Sequence, residues 1–463
     1  MKILFVRPRP SPETIGLQHV MVVEPLELEV LAARVGPPDT SVILDMILEK
    51  GTFPHYLCRE QPDILCVTVY ITHIDIMREY CRAARRWNPG IRTVVGGVHC
   101  EVCPDDLDDP AVDFRVVRNA AVVFPLLIDH IRGIRALPEG VLPAGVRGNP
   151  ADLPAFDFTY PLPVRSLTER YRGSYFYIFH DRVALLKTAF GCPYKCTFCF
   201  CRAITGGRYA ERPLEDVMRE LALIREREIY IVDDDFLVNR MRVQSFVEEN
   251  RRRGLEKRYL LYGRADFIAR NPGLMSEFRS VGLSTVIVGF ESFVEEELKR
   301  YDKGTDVATN REAMNVLRAG KIDCYATVII PPGWDRRAFD ECRRVMRSLG
   351  IHYVNLQPLT PLPGTGCAVR DDNLVIRRTD HARWDLAHVM LRPEHFTVAQ
   401  FYRAIMHLYS AVLFRPKVIW GYLRRYRLAQ IWKMTRGTMH VRRQYGRRIR
   451  EAVARASGGE THA

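Results

Sequence analysis

The chain has 463 residues, too many for one ordinary core, and its 47% hydrophobic and 27% charged content fits a soluble globular protein of two or three domains. No segment offers the roughly 20 uninterrupted apolar residues of a spanning helix, and MKILFVRPRP has too short an apolar run for a secretory signal, which together predict a cytoplasmic protein. Twelve cysteines without a regular framework exclude a disulfide scaffold and predict free thiols with a metal site, while the net charge of +13 gathers in the acid-free stretch from Arg415 to Arg450.

Short apolar runs alternate with helical patterns over the first 130 or so residues. KILFV (2–6), SVILD (41–45), DILCVTV (63–69), RTVVGG (92–97) and VDFRVV (112–117) read as buried strands, and DIMREYCRAARRW (75–87) as a helix between two of them. This predicts a doubly wound, Rossmann-like α/β domain over residues 1–135. The Gly- and Pro-rich stretch 136–180 then reads as a linker.

A second series begins at VALLKTAF (183–190) and continues through IYIVDDD (229–235), YLLYGRA (259–265), STVIVGFES (284–292), CYATVII (324–330) and HYVNLQP (352–358). Six βα units in sequence predict a partial (βα)6 barrel over 181–370, with its chemistry on the loops after the strands. One such loop is GCPYKCTFCF, where Cys192, Cys196 and Cys199 stand too close together for a closed four-ligand zinc cage. Three thiolates suit instead a four-iron cluster with one iron left open to a small chelating ligand. A α-helical, basic region is expected over 371–463.

The CxxxCxxC spacing, with Phe198 as the aromatic before its last cysteine, resembles the radical S-adenosylmethionine superfamily. The resemblance implies a 4Fe-4S cluster on Cys192, Cys196 and Cys199 whose fourth iron binds S-adenosylmethionine and reduces it to methionine and a 5′-deoxyadenosyl radical, with an external electron donor. Cys201 falls outside the pattern and reads as a loop thiol. Asp233, Asp234 and Asp235 resemble the family's acidic motif for the cofactor ammonium, which adjacent anions would stabilise. Arg264, Glu291 and Ser292 stand where the family places further cofactor contacts, and VIIPPGW (328–334) and LTPLPGTG (359–366) resemble its closing Pro-Gly loops.

The first domain resembles the cobalamin-binding domain of one large subfamily. Thr68 and Tyr70 end one strand, and Gly96, Gly97 and Val98 follow its neighbour, where glycine would let a bulky ligand approach the backbone. Asp45 is followed by Met46 and Ile47, so the histidine that some cobalamin domains place two residues after this aspartate is missing, and cobalamin is expected without it. VVRNAAVVFPLL (116–127) also departs from the family's Gly-Glu-Gly-Glu. His73 and His99 read as ordinary hydrogen-bonding residues.

These resemblances imply a methyltransferase acting on an unactivated carbon of an apolar or natural-product-like small molecule, and the stretch ETIGLQHVMVVEPLELEVLAA (13–33) looks loosely similar to lipid-modifying hopanoid methylases. The alternatives are a cobalamin-dependent radical cyclase or rearrangement enzyme, a methylthiotransferase acting on nucleic acid, and a non-catalytic sensor. The scattered Cys58, Cys66, Cys81, Cys100 and Cys103 do not match a methylthiotransferase's additional cluster motif. In the tail, Ile419, Leu423, Tyr426 and Leu428 recur at helical spacing among Arg424, Arg425 and Arg427. That pattern fits either a helix packed on the barrel with a solvated basic face or one lying on an anionic membrane surface, the inner face of the cell membrane. It lacks the aromatic-stacking module that nucleic acid would call for.

Overall fold

The computed structural model describes residues 1–148 and 153–458. In the first sheet, the strands lie in the order Thr40–Asp45, Lys2–Arg7, Ile64–Thr68, Arg92–Gly96, Phe114–Val116, Val141–Pro143. The first five are parallel. Their side chains are buried on both faces, Leu4, Val6 and Leu65 in one core and Ile3, Phe5 and Ile64 in the other, which is why these strands are continuous apolar runs.

The sixth strand differs from the expected linker over 136–180. Val141–Pro143 pairs antiparallel with Phe114–Val116 after a turn at Gly140 (φ 85°), so the first domain's sheet extends past residue 135. Three residues are too few to show a strand's period among Gly and Pro. Residues 149–152 of the linker lie outside the described residues. Beyond them, Arg165–Ser174 winds as 3-10 helix and Phe176–Tyr177 pairs with Met21–Val22.

In the second sheet, Ala184–Leu186, Glu228–Ile231, Arg258–Gly263, Leu283–Glu291, Asp323–Ile330 and Tyr353–Pro358 are neighbours in chain order and all parallel, a partial barrel. One face packs under the crossover helices, with Ile231, Leu261, Val288 and Val328 in the main core. The inner face gathers Leu185, Tyr230, Leu260 and Ile287, and here the segment from Met21 to Val30 of the first domain closes over it with Leu26, Val23 and Val30.

The C-terminal region is helical from Val398, in the helices Val398–Leu413, Pro416–Arg425 and Leu428–Gly458. Residues 371–397 contain short 3-10 turns, not the expected helix. Nor do the tail's apolar positions share one helix. Tyr426 is extended (φ −112°, ψ 151°) because its ring stacks on Phe179 at 3.9 Å and its hydroxyl meets that of Tyr353 at 2.6 Å, which turns the chain.

Candidate active site

The cysteine loop leaves the barrel at the end of its first strand and is fixed at several points. Ala189–Phe190 pairs with Ala210–Glu211 across its neck. Gly191 sits at φ 74°, and a Cβ there would lie 2.0 Å from the carbonyl oxygen of Arg208, so only glycine fits. The amide of Thr197 donates to Tyr301 O at 3.0 Å, and that of Gly366 to Thr197 O at 2.7 Å. The loop is thereby clamped between two other barrel loops.

Cys192, Cys196 and Cys199 are all partly exposed. Burial pushes Cys192 up to about 12, whereas a hydrogen bond from Cys201 holds Cys199 below the ordinary thiol range. Arg264 Nη1 lies 3.8 Å from Cys196 Sγ. Among the described residues no three His, Cys, Asp or Glu side chains converge as a single ion would require. The Arg264 and Lys303 cations face Cys196, and Lys303 also acts on Cys199, a positive setting that suits thiolates and an anionic group held by them. Cys201 begins the helix Cys201–Thr205 instead of lying in the loop, and its thiol also faces Asp234.

The three aspartates separate by environment. Asp233 is buried and accepts from the amide of Thr188 at 2.6 Å and from its hydroxyl, a structural role. Asp234 is exposed, 3.9 Å from Lys187. Asp235 is only 3% exposed; its Oδ1 accepts from Leu237 N at 3.0 Å, while its Oδ2 has no partner. Burial raises this carboxyl to about 7. A buried carboxylate oxygen without a donor, in the field of Cys192, is a place for a cationic group.

Arg264 is buried, with its guanidinium 3.7 Å from the ring centroid of Tyr194, its Nε on Asp266 at 2.9 Å and its Nη2 on Lys303 O at 2.5 Å. Glu291 stands at a bulge with φ 64° and pairs with Lys303 Nζ at 3.1 Å. Lys303 in turn lies 5.8 Å from the ring of Phe198, whose edge meets Tyr301 at 5.6 Å. Ser292 is turned away: fully buried, it gives its hydroxyl to Glu297, which also receives Trp334 Nε1 at 2.7 Å. Tyr194, Tyr301 and Lys303 were not singled out from the sequence, where YDKGTD carries no motif that separates Lys303 from a surface lysine.

The barrel's inner wall is open near this site. Along Asp323–Ile330 and Tyr353–Pro358 exposure alternates: Cys324, Ala326, Val354 and Leu356 are buried outward, while Tyr325, Thr327, Asn355 and Gln357 are partly accessible. Tyr262, on the third barrel strand, is 38% exposed.

In the first domain, Gly97 (φ 104°) closes the strand Arg92–Gly96 against its neighbour. A Cβ there would lie 2.9 Å from both Thr68 Oγ1 and Val69 N, whereas one at Gly96 would meet nothing nearer than 3.6 Å. Thr68 is buried and Tyr70 is 47% exposed at the end of the adjacent strand. The helix Val98–Val102 begins here and packs on Cys201–Thr205, and Val102 also abuts Gly364. The crevice of the first sheet therefore opens beside the cysteine loop. Asp45 is committed to Arg7 and Tyr175. His99 is buried and donates from Nε2 to the Asp106 carboxylate at 2.9 Å, and His73 is buried as well.

Residues 186–346 match the model of the Radical SAM superfamily and residues 16–128 that of the B12 binding domain. The chain is 26% identical to the hopanoid C-3 methylase of Methylococcus capsulatus, over 91% of this chain and 82% of that protein. It is 23% identical to the anaerobic magnesium-protoporphyrin IX monomethyl ester cyclase of Cereibacter sphaeroides, over 80% of this chain but 63% of that protein. The fold matches that of the radical S-adenosylmethionine methyltransferase TsrM from Kitasatospora setae, solved with cobalamin and a 4Fe-4S cluster, at TM-score 0.67 and 16% identity over 98% of this chain and 99% of that one.

Proposed function

We propose, from the premise that the chain is a radical S-adenosylmethionine enzyme with a B12-binding domain, that it transfers a methyl group to an unactivated carbon of an apolar or natural-product-like small molecule. When bound, the 4Fe-4S cluster and S-adenosylmethionine supply a reactive radical, and cobalamin supplies the methyl group. The observation that carries the reading is the contact between Val98–Val102 and Cys201–Thr205, which sets the crevice beside the cysteine loop and the open barrel wall.

Within that arrangement Cys192, Cys196 and Cys199 would hold the cluster, and the unpartnered Oδ2 of Asp235 would receive the cofactor ammonium. Arg264 and the Glu291–Lys303 pair fix the loop and its charge. Thr68, Gly96, Gly97 and Val98 would line the cobalamin crevice, and Tyr70 would stand at its rim. The inner wall, aromatic at Tyr262 and Tyr325 with a few polar positions at Asn355 and Gln357, suits an apolar skeleton with few polar groups. An external donor would supply electrons near the cavity of about 540 Å³ beside Cys196 and Cys199, walled by Lys195 and Arg202.

Similarity to the cyclase supports a second reading, ring closure or rearrangement without net methyl transfer. Anaerobic incubation of the reconstituted enzyme with cell extract and methyl-labelled S-adenosylmethionine separates the two. Methyl transfer predicts an extracted product that gains the labelled methyl group, alongside deoxyadenosine. Deoxyadenosine with an altered but unlabelled product would establish the second reading instead.

A further inference from the structure

The C-terminal helices expose large apolar side chains that packing on the barrel would be expected to bury. Ile419, Trp420, Leu423, Leu428, Trp432 and Met439 are all exposed, Trp420 by 61% and Trp432 by 65%. At about 100° per residue, Ile419, Trp420 and Leu423 fall on one arc of Pro416–Arg425, turned away from buried Val418. By the same spacing Leu428, Trp432 and Met439 form a single stripe along Leu428–Gly458.

Cations border both stripes. The inward-facing ones are neutralised: Arg425 pairs with Asp323 at 2.5 Å, Lys433 with Asp181, and Arg448 with Glu13 and Glu451. The outward-facing Lys417, Arg424, Arg427, Arg436, Arg442 and Arg443 have no ion-pair partner among the described residues. Instead, Arg424 and Arg436 lie over the rings of Trp420 and Trp432, at 5.9 and 5.6 Å.

We propose that this face docks on an anionic lipid bilayer. Exposed tryptophans beside arginines match the interface between headgroups and acyl chains, where an indole has both an apolar and a wet side. The unneutralised cations complement anionic headgroups, whereas a second copy of the same face would meet like charge. An apolar stripe between the arginines is poorly matched to a phosphodiester backbone. Because no helix among the described residues is long and apolar enough to cross a membrane, the face lies on the bilayer rather than spanning it. This inference is independent of the reaction proposed above, whose labelled-methyl assay needs no vesicles.

Flotation of the purified full chain tests it, using vesicles of phosphatidylcholine alone and of phosphatidylcholine with phosphatidylglycerol. The chain should float only with the anionic vesicles, its tryptophan emission should shift to shorter wavelength, and salt should release it. Replacing Arg424, Arg427 and Arg436 together by Gln should weaken binding on the order of 100-fold, and Trp420→Ser with Trp432→Ser should abolish the emission shift. Thermal melts check that each variant folds, and the lipid and salt dependence of the unaltered chain decides the matter even if one does not. The proposal is overturned by no flotation at low salt, by equal flotation with neutral vesicles, by self-association that shifts the tryptophan emission without lipid, or by duplex DNA binding more tightly than the anionic vesicles.

Discussion

Asp235 and Asp233, two residues apart, answer to different physics. Asp233 is satisfied by Thr188, whereas Asp235 leaves one oxygen without a donor in a buried site. Asp235→Asn should leave iron and cobalamin content unchanged yet weaken S-adenosylmethionine binding about 10- to 100-fold, the range for a hydrogen bond to a charged group. Equilibrium binding to the anaerobic protein checks this, and unchanged affinity would remove Asp235 from the proposed role. The cysteines divide in the same manner. Cys192→Ala, Cys196→Ala and Cys199→Ala should each lose cluster iron and deoxyadenosine formation, while Cys201→Ala retains both; equal loss in all four would give Cys201 a ligand's part. Spacing alone made the three thiols legible. It could not rank the aspartates or find Lys303, because pairing with Glu291 across a bulge depends on loop geometry that no local motif records.

At the scale of elements, the strands were legible because burial on both faces forces continuous apolar runs, as in Ile64–Thr68. The edge strand Val141–Pro143 was not, since three residues between turns carry no period. The tail's break was hidden for another reason: Tyr426 continues the helical spacing, and only its distant partners Phe179 and Tyr353 pull it out of the helix. Glycine pairs show the same limit. GG at 96–97 signals a close approach without saying which residue needs it. Gly96→Ala should retain cobalamin and shift stability little, because its Cβ meets ordinary contacts. Gly97→Ala should cost about 1–3 kcal/mol for its positive φ, more with its clash against Thr68 and Val69, and should lose cobalamin. Absorbance of bound cobalamin and thermal melts of both variants provide the comparison. Equal behaviour of the two would refute the cradle drawn at Gly97.

At the scale of the whole molecule, the two domains are joined by buried charge that the sequence scatters over a helix, an apparent linker and the barrel. Glu24 accepts from Arg165, Arg172 and the amide of Leu185, and Arg165 also reaches Glu220 at 2.7 Å. Glu29, one turn along, is also fully buried, accepting from Thr168 and lying 3.4 Å from Arg172, but its Oε2 has no hydrogen-bond partner. Removing Glu24 leaves two buried guanidinium groups short of an anion, so Glu24→Ala should destabilise by about 3–5 kcal/mol. Glu29 should behave in the opposite sense. Burial first, and then the neighbouring Glu24 carboxylate, push it up to about 8, above the ordinary carboxylate value. A carboxyl raised on folding keeps its proton in the native state while the unfolded chain has lost it. Its stabilising contribution is therefore complete below about pH 4.5 and is lost as pH rises through about 8. Glu29→Gln should match the parent at pH 4 and exceed it in melting temperature at pH 9, flattening the decline between, because the amide can still accept from Thr168 without a charge to bury. Melts across that range distinguish the two glutamates. If Glu29→Gln loses stability most at high pH, the site prefers an ionised glutamate, and the junction is a fully charged network rather than one holding a neutral acid.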